Sequence, residues 1–102
     1  MSSFSDPNEQ ALALKSEGNE LIKECKYGQA ASKYTEAIAL CPSAVLYSNR
    51  AQAYIKMESY GVAIQDADEA IRYVIQSFYY RNNTISFHFY YLKSLFNEVS
   101  IF

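Results

Sequence analysis

The sequence has no tryptophan, one histidine, two cysteines, two prolines and three glycines in 102 residues. So few cysteines exclude a disulfide scaffold, and a single histidine leaves little for a histidine-based metal or catalytic centre. No run approaches the ~18–20 apolar residues of a transmembrane helix. The N-terminus has neither the basic nor the apolar region of a signal peptide. A surplus of one charge is missing too. Nine basic against eleven acidic residues give a net charge of −2, with no basic excess to hold nucleic acid or an anionic membrane. What is present is globular: half of the residues are hydrophobic and a fifth are charged. The length suits one small domain, whose usual range is ~50–250 residues. The expectation is a soluble domain of the cytoplasm, with the nucleus also open to it, and no cofactor.

The composition is uneven along the chain. Of the sixteen aromatic residues, ten lie between Tyr73 and Phe102, a segment with only three formal charges, Arg81, Lys93 and Glu98. Residues 1–72 hold the other seventeen charges, both prolines, both cysteines and all three glycines.

Sliding the sequence against itself by 33 residues gives nine identities over the 32 positions from Ala11 to Pro42. They include Ile22/Ile55, Lys23/Lys56, Tyr27/Tyr60, Gly28/Gly61, Ala30/Ala63 and Glu36/Glu69. Chance gives roughly two, and a period of ~20–50 residues marks a repeat array. The slide continued into residues 77–102 recovers only isolated matches, so two repeats are expected.

Each repeat reads as a helical hairpin. Asp6-Pro7-Asn8-Glu9 opens a helix with an N-capping aspartate, proline at the first position and an early glutamate. Leu14, Gly18, Leu21 and Ile22 carry it at helical spacing to about residue 24. Tyr27-Gly28 opens the second helix, with Ala30, Ala31, Tyr34, Ala37 and Ile38 on one face and Pro42 beyond its end. Ser43 caps a third helix carrying Leu46, Tyr47, Arg50, Ala51, Tyr54 and Ile55, and a fourth starts near Tyr60. Gly18 and Ala51 are expected where the helices of a hairpin approach closely, opposite Ala30 and Ala63, with Tyr27 and Tyr60 plugging the corners.

The run Gly18, Leu21, Ala30, Tyr34, Ala37, Pro42 resembles the tetratricopeptide repeat. Ala51, Tyr54, Ala63, Ala67 and Ala70 match the same pattern less fully. The resemblance implies an all-α fold of two hairpins in a right-handed superhelical array. It divides the chain into an N-terminal cap (1–6), repeat 1 (7–42), repeat 2 (43–75) and a divergent aromatic tail (76–102).

Lys15-Ser16-Glu17-Gly18-Asn19 and Tyr47-Ser48-Asn49-Arg50-Ala51 resemble the first two arms of the carboxylate-clamp subfamily. That likeness implies a non-catalytic co-chaperone or adaptor binding the acidic C-terminal tails of the 90-kDa and 70-kDa heat-shock chaperones. Lys15, Asn19 and Asn49 would hold the peptide's terminal carboxylate and final side chain. The chemistry is consistent, since a lysine supplies charge and asparagine amides donate hydrogen bonds without adding more. Glu58 to Ala67 is similar to the second repeat of the N-terminal domain of the serine/threonine phosphatase 5 family. The alternative is therefore a regulatory segment of such a phosphatase, without its catalytic domain.

The clamp is short of its third arm. Carrying the frame forward puts Tyr79 and Asn83 where the family has a lysine and an arginine. A shifted frame through Tyr79-Tyr80-Arg81 offers Arg81 but leaves Ser77 at the lysine position. Chaperone binding is accordingly expected to be weak or lost, and a homodimer through the exposed second repeat is the third reading.

Three readings stand for residues 73–102. Ile85, Phe89, Leu92, Phe96 and Val99 fall at spacings of 4, 3, 4 and 3, an amphipathic helical seam. Ile85 to Phe89 also alternates like a short strand. Seventeen of the thirty residues are Phe, Tyr, Ile, Asn or Lys, the products of A/T-rich codons, which fits intron read-through or a frameshift.

The remaining signals are weighed against ordinary structural roles. Cys25 and Cys41 end opposite helices of one hairpin, and ~1.5 Å of rise per residue keeps them about 20 Å apart, unbridged. His88 has no ligand-spaced neighbour. Asp66, Asp68 and Glu69 point different ways and read as a solvated face. Asn82-Asn83-Thr84 is a glycosylation pattern without a secretory signal. Gly28 and Gly61 are hairpin-corner residues rather than a phosphate loop.

Overall fold

The computed structural model describes residues 6–81. They form four α-helices: α1 (Pro7–Lys23), α2 (Tyr27–Leu40), α3 (Ala44–Lys56) and α4 (Tyr60–Arg81). Each helix packs mainly on its neighbours in the chain, α1 on α2, α2 on α3 and α3 on α4. This is the all-α stack of helical hairpins expected of tetratricopeptide repeats, in which order along the chain becomes order in space. Among the described residues no helix is long and apolar enough to cross a membrane.

Local chemistry sets the helix ends. The Asp6 carboxylate accepts from the Asn8 N–H at 3.2 Å, and Pro7 opens α1. The Ser43 hydroxyl accepts from the Leu46 N–H at 3.2 Å and caps α3. The two hairpin turns are built alike. In the first, the N–H groups of Cys25 and Lys26 donate to the carbonyls of Ile22 and Leu21. In the second, those of Glu58 and Ser59 donate to Ile55 and Tyr54. Both are Schellman closures, which place one residue in the left-handed region. Those residues are Cys25 (φ 60°) and Glu58 (φ 61°), 33 positions apart, and neither is glycine.

The core centres on the first hairpin and borrows from the second. Ala11, Ala30, Tyr34, Ala37 and Leu46 are buried together, with Leu14, Leu21, Ile22, Ile38 and Cys41 packed around them. Leu46 belongs to α3, so the second hairpin completes the core of the first. Gly18 is a point of close approach, as expected, but a large residue rather than a small one requires it. A Cβ there would lie 2.6 Å from Cε1 and 2.9 Å from Cδ1 of Tyr34. At the equivalent positions of the second hairpin, Ala51 and Ala67 replace the Gly18–Tyr34 pair.

One expectation changes. Tyr27 is half-buried, and the neighbouring Cys25 thiol raises its pKa. Tyr60 is 57% exposed, so it does not plug the second corner. Helix α4 runs without a break from Tyr60 to Arg81. No proline or glycine interrupts the sequence from Val62 to Arg81. Both cysteines are free, and the Cys41 thiol donates to Asn8 Oδ1 at 2.7 Å. The seam from Ile85 to Val99, His88 and the pattern at Asn82 lie outside the described residues.

Candidate functional site

Lys15 and Asn19 sit one turn apart on α1, and Asn49 lies on α3. The fold brings the two asparagines together: Asn49 Nδ2 donates to Asn19 Oδ1 at 3.3 Å. A second donor reaches the same oxygen from inside the core. The Tyr34 hydroxyl donates to Asn19 Oδ1 at 2.5 Å, while the rest of Tyr34 is 1% exposed. An amide oxygen has two lone pairs. With both engaged, the Asn19 side chain is fixed, and its NH₂ group has no partner among the described residues. Lys15 is half-buried, and its ammonium makes no ion pair among the described residues. The face between α1 and α3 thus presents an oriented amide donor pair and a lysine cation.

Arg50, next to Asn49, is engaged elsewhere. Its Nε donates to Asp66 Oδ2 at 2.7 Å and its Nη2 to Asp66 Oδ1 at 2.8 Å. Nη1 donates to Thr35 Oγ1 at 2.9 Å, and Thr35 in turn donates to the Ala31 carbonyl. The guanidinium also lies over the rings of Tyr47 and Tyr54, 5.6 and 5.8 Å from their centroids. Tyr47 stacks on Tyr73 at 5.6 Å. The hydrogen bonds to Asp66 raise the Arg50 pKa against the opposing effect of burial. Asp66 is 5% exposed, which corrects its reading as part of a solvated face. One guanidinium therefore ties α2, α3 and α4 together.

The first hairpin has the same strut with its charges exchanged. Glu17 and Lys33 pair at 3.1 Å, and the glutamate raises the lysine pKa. Glu17 and Arg50 are 33 residues apart, as are Lys33 and Asp66. A search for identities passes over this pair, because both members change while their relation persists. Reciprocal charges at the repeat offset are the signal that finds it.

Beside Asn49 an open groove of about 610 Å³ runs between α3 and α4, lined by Ala44, Val45, Ser48, Asn49, Ala70, Ile71, Val74, Ile75 and Phe78. Tyr79 and Arg81 continue α4 instead of opening a third-repeat helix, and Asn83 lies outside the described residues. Neither frame for the third arm of a clamp is built by the end of α4.

Fold and face together fit a helical-hairpin module for protein interaction, with the all-α hairpin stack expected of tetratricopeptide repeats. The chain is 41% identical over 66 residues to the human mitochondrial import receptor subunit TOM34, covering 63% of this chain and 21% of the relative. It is 47% identical over 66 residues to serine/threonine-protein phosphatase T of Aspergillus oryzae, covering 62% and 13%. It is 38% identical over 69 residues to human mitochondrial import receptor subunit TOM70, covering 62% and 11%. The match thus spans about a fifth or less of each of these curated relatives. No family model and no solved structure matches the chain.

Proposed function

We propose that this chain is a non-catalytic adaptor module of the cytoplasm or nucleus that receives acidic peptides ending in a free carboxylate. The occupants are the C-terminal tails of the 90-kDa and 70-kDa heat-shock chaperones, held by Lys15, Asn19 and Asn49. The supporting observation is the doubly engaged Asn19 oxygen, which leaves the Asn19 NH₂ pair to donate to a carboxylate beside the Lys15 cation. Binding is weak. A hydrogen bond to a charged group contributes about 1.5–3 kcal/mol, so lacking two cations costs several kcal/mol against a full clamp.

The test is an amide NMR titration with an acidic chaperone-tail peptide as its free acid and as its C-terminal amide. Shifts at Lys15, Asn19 and Asn49 with the free acid alone are expected. A dispersed spectrum that ignores both peptides removes the proposal.

A second reading rests on the 47% identity to a serine/threonine phosphatase. The chain would then be the regulatory segment of such an enzyme. An in-frame metallophosphatase domain further along the same transcript distinguishes the two.

A further inference from the structure

Asn49 is held less firmly than the residue it meets. Among the described residues its one side-chain hydrogen bond runs to Asn19 Oδ1 at 3.3 Å, at the long end of useful geometry. Asn19 has a brace of its own, the hydroxyl of the buried Tyr34 on α2. The counterpart of Tyr34 on α4, 33 residues on, is Ala67, which has no hydroxyl to offer α3. We propose that Asp66, acting through Arg50, is the positioning residue for Asn49. Helix α4 then sets the geometry of a peptide face to which it gives no side chain.

The rotation of α3 decides where Asn49 points. A side-chain tip stands about 5–6 Å from a helix axis, so a turn of about 10° moves it about 1 Å. That carries a 3.3 Å contact past about 3.6 Å, where no hydrogen bond remains. Burial of Leu46 and Ala53 holds α3 close, but apolar attraction is non-directional and fixes distance better than rotation.

The Arg50 guanidinium is directional. Its fork takes both Asp66 oxygens on α4, at 2.7 and 2.8 Å, and its third nitrogen takes Thr35 on α2 at 2.9 Å. Tyr47 and Tyr54, about one turn to either side, cover the group. Asn49 is the adjoining residue of the same helix, so fixing Arg50 in rotation also fixes Asn49. The strengths agree with this order, because charge-assisted bonds are roughly twice as strong as neutral ones and the Asn49 bond is neutral. In the first hairpin the matching Glu17–Lys33 pair is a single, more exposed contact, and there Tyr34 positions the asparagine directly.

Side-chain amide NMR of the full chain tests this with no ligand present. In Asp66→Asn the Asn49 NH₂ resonances should move to free-amide positions and lose their cross-peaks to α1, while Asn19 stays held by Tyr34. Arg50→Lys keeps the charge but loses the fork, and should move Asn49 in the same way if Asp66→Asn does not fold. Ala70→Gly weakens α4 without touching the strut and should leave Asn49 in place. An unmoved Asn49 in a folded strut variant overturns the proposal, and so does equal movement in Ala70→Gly. The consequence for binding rests on the proposed capture of a carboxylate peptide. Where the native chain binds the free-acid peptide, Asp66→Asn should weaken it about tenfold, and no further once Asn49→Ala is present. Undiminished binding by Asp66→Asn overturns the proposal. A native chain that ignores the peptide removes the peptide reading alone, because the amide measurement needs no ligand.

Discussion

Tyr34 joins the core to the candidate site. Its ring fills the space that Gly18 leaves, and its hydroxyl fixes Asn19. Gly18→Ala would set a methyl group 2.6 Å from a buried ring carbon. The ring has nowhere to move, so the change should destabilise the chain by about 1–3 kcal/mol, read from urea unfolding. Tyr34→Phe keeps the packing and removes one hydrogen bond, at about 0.5–1.5 kcal/mol. It also releases Asn19, so any carboxylate binding should fall with it. Burial raises the Tyr34 pKa above its ordinary 10.0. The unfolded chain then ionises first, so this contribution is fully present below pH 10 and is lost as pH rises through the higher folded value. Stability measured across the alkaline range should show that loss in the native chain, and it should shrink in Tyr34→Phe. The sequence made Gly18 and Asn19 legible as a spacing motif. It could not show that one tyrosine serves both, because sixteen and fifteen residues of chain separate them from it.

Turns and struts carry the argument at the scale of elements. Cys25 and Glu58 hold left-handed backbone that L-residues adopt at a cost of roughly 1–2 kcal/mol, offset in part by the entropy that glycine loses. Cys25→Gly and Glu58→Gly should each stabilise the chain by about 0.5–1 kcal/mol. Lying in separate turns, they should add within experimental error in thermal or urea melts. The Arg50–Asp66 strut gives the opposite sign. Asp66→Ala leaves a mostly buried guanidinium without its carboxylate. Breaking a buried pair costs about 3–5 kcal/mol. With the Arg50 side chain 17% exposed, the lower end applies. Installing the first hairpin's arrangement by Arg50→Glu with Asp66→Lys should recover much of that loss in the same melts. It should not recover all of it, because the Thr35 bond and both aromatic contacts go. Caps and helix starts were readable because Asp6-Pro7 and Ser43 act on their own neighbours. The strut was not, since its two halves change identity together, and Asp66 looks like any exposed acid until α3 is placed against α4. Helix α4 continues to Arg81 because no proline or glycine after Gly61 stops it.

Over the whole molecule, stability rests on contacts between neighbours in the stack, so the α2–α3 interface decides whether the two hairpins act as one. Two side chains dominate it. Leu46 reaches from α3 into the first hairpin's core at 3% exposure, and Arg50 reaches Thr35. Two hairpins bury too little apolar surface to stand apart comfortably, and the groove on α3 and α4 leaves still more uncovered. Leu46→Ala removes most of a buried leucine at the junction, for which about 2–5 kcal/mol is usual. In a domain whose total is about 5–15 kcal/mol, that is a large fraction. The effect should not be confined to α3. Because the deleted atoms belong to the first hairpin's core, amides of α1 and α2 should lose exchange protection along with those of α3 and α4. The urea transition should also broaden, with a lower slope, as the hairpins begin to open separately. A variant that only shifts the midpoint at constant slope would mean that the junction contributes stability without coupling. The hairpins would then be held together by the Arg50 strut, and Asp66→Ala should be the change that broadens the transition instead.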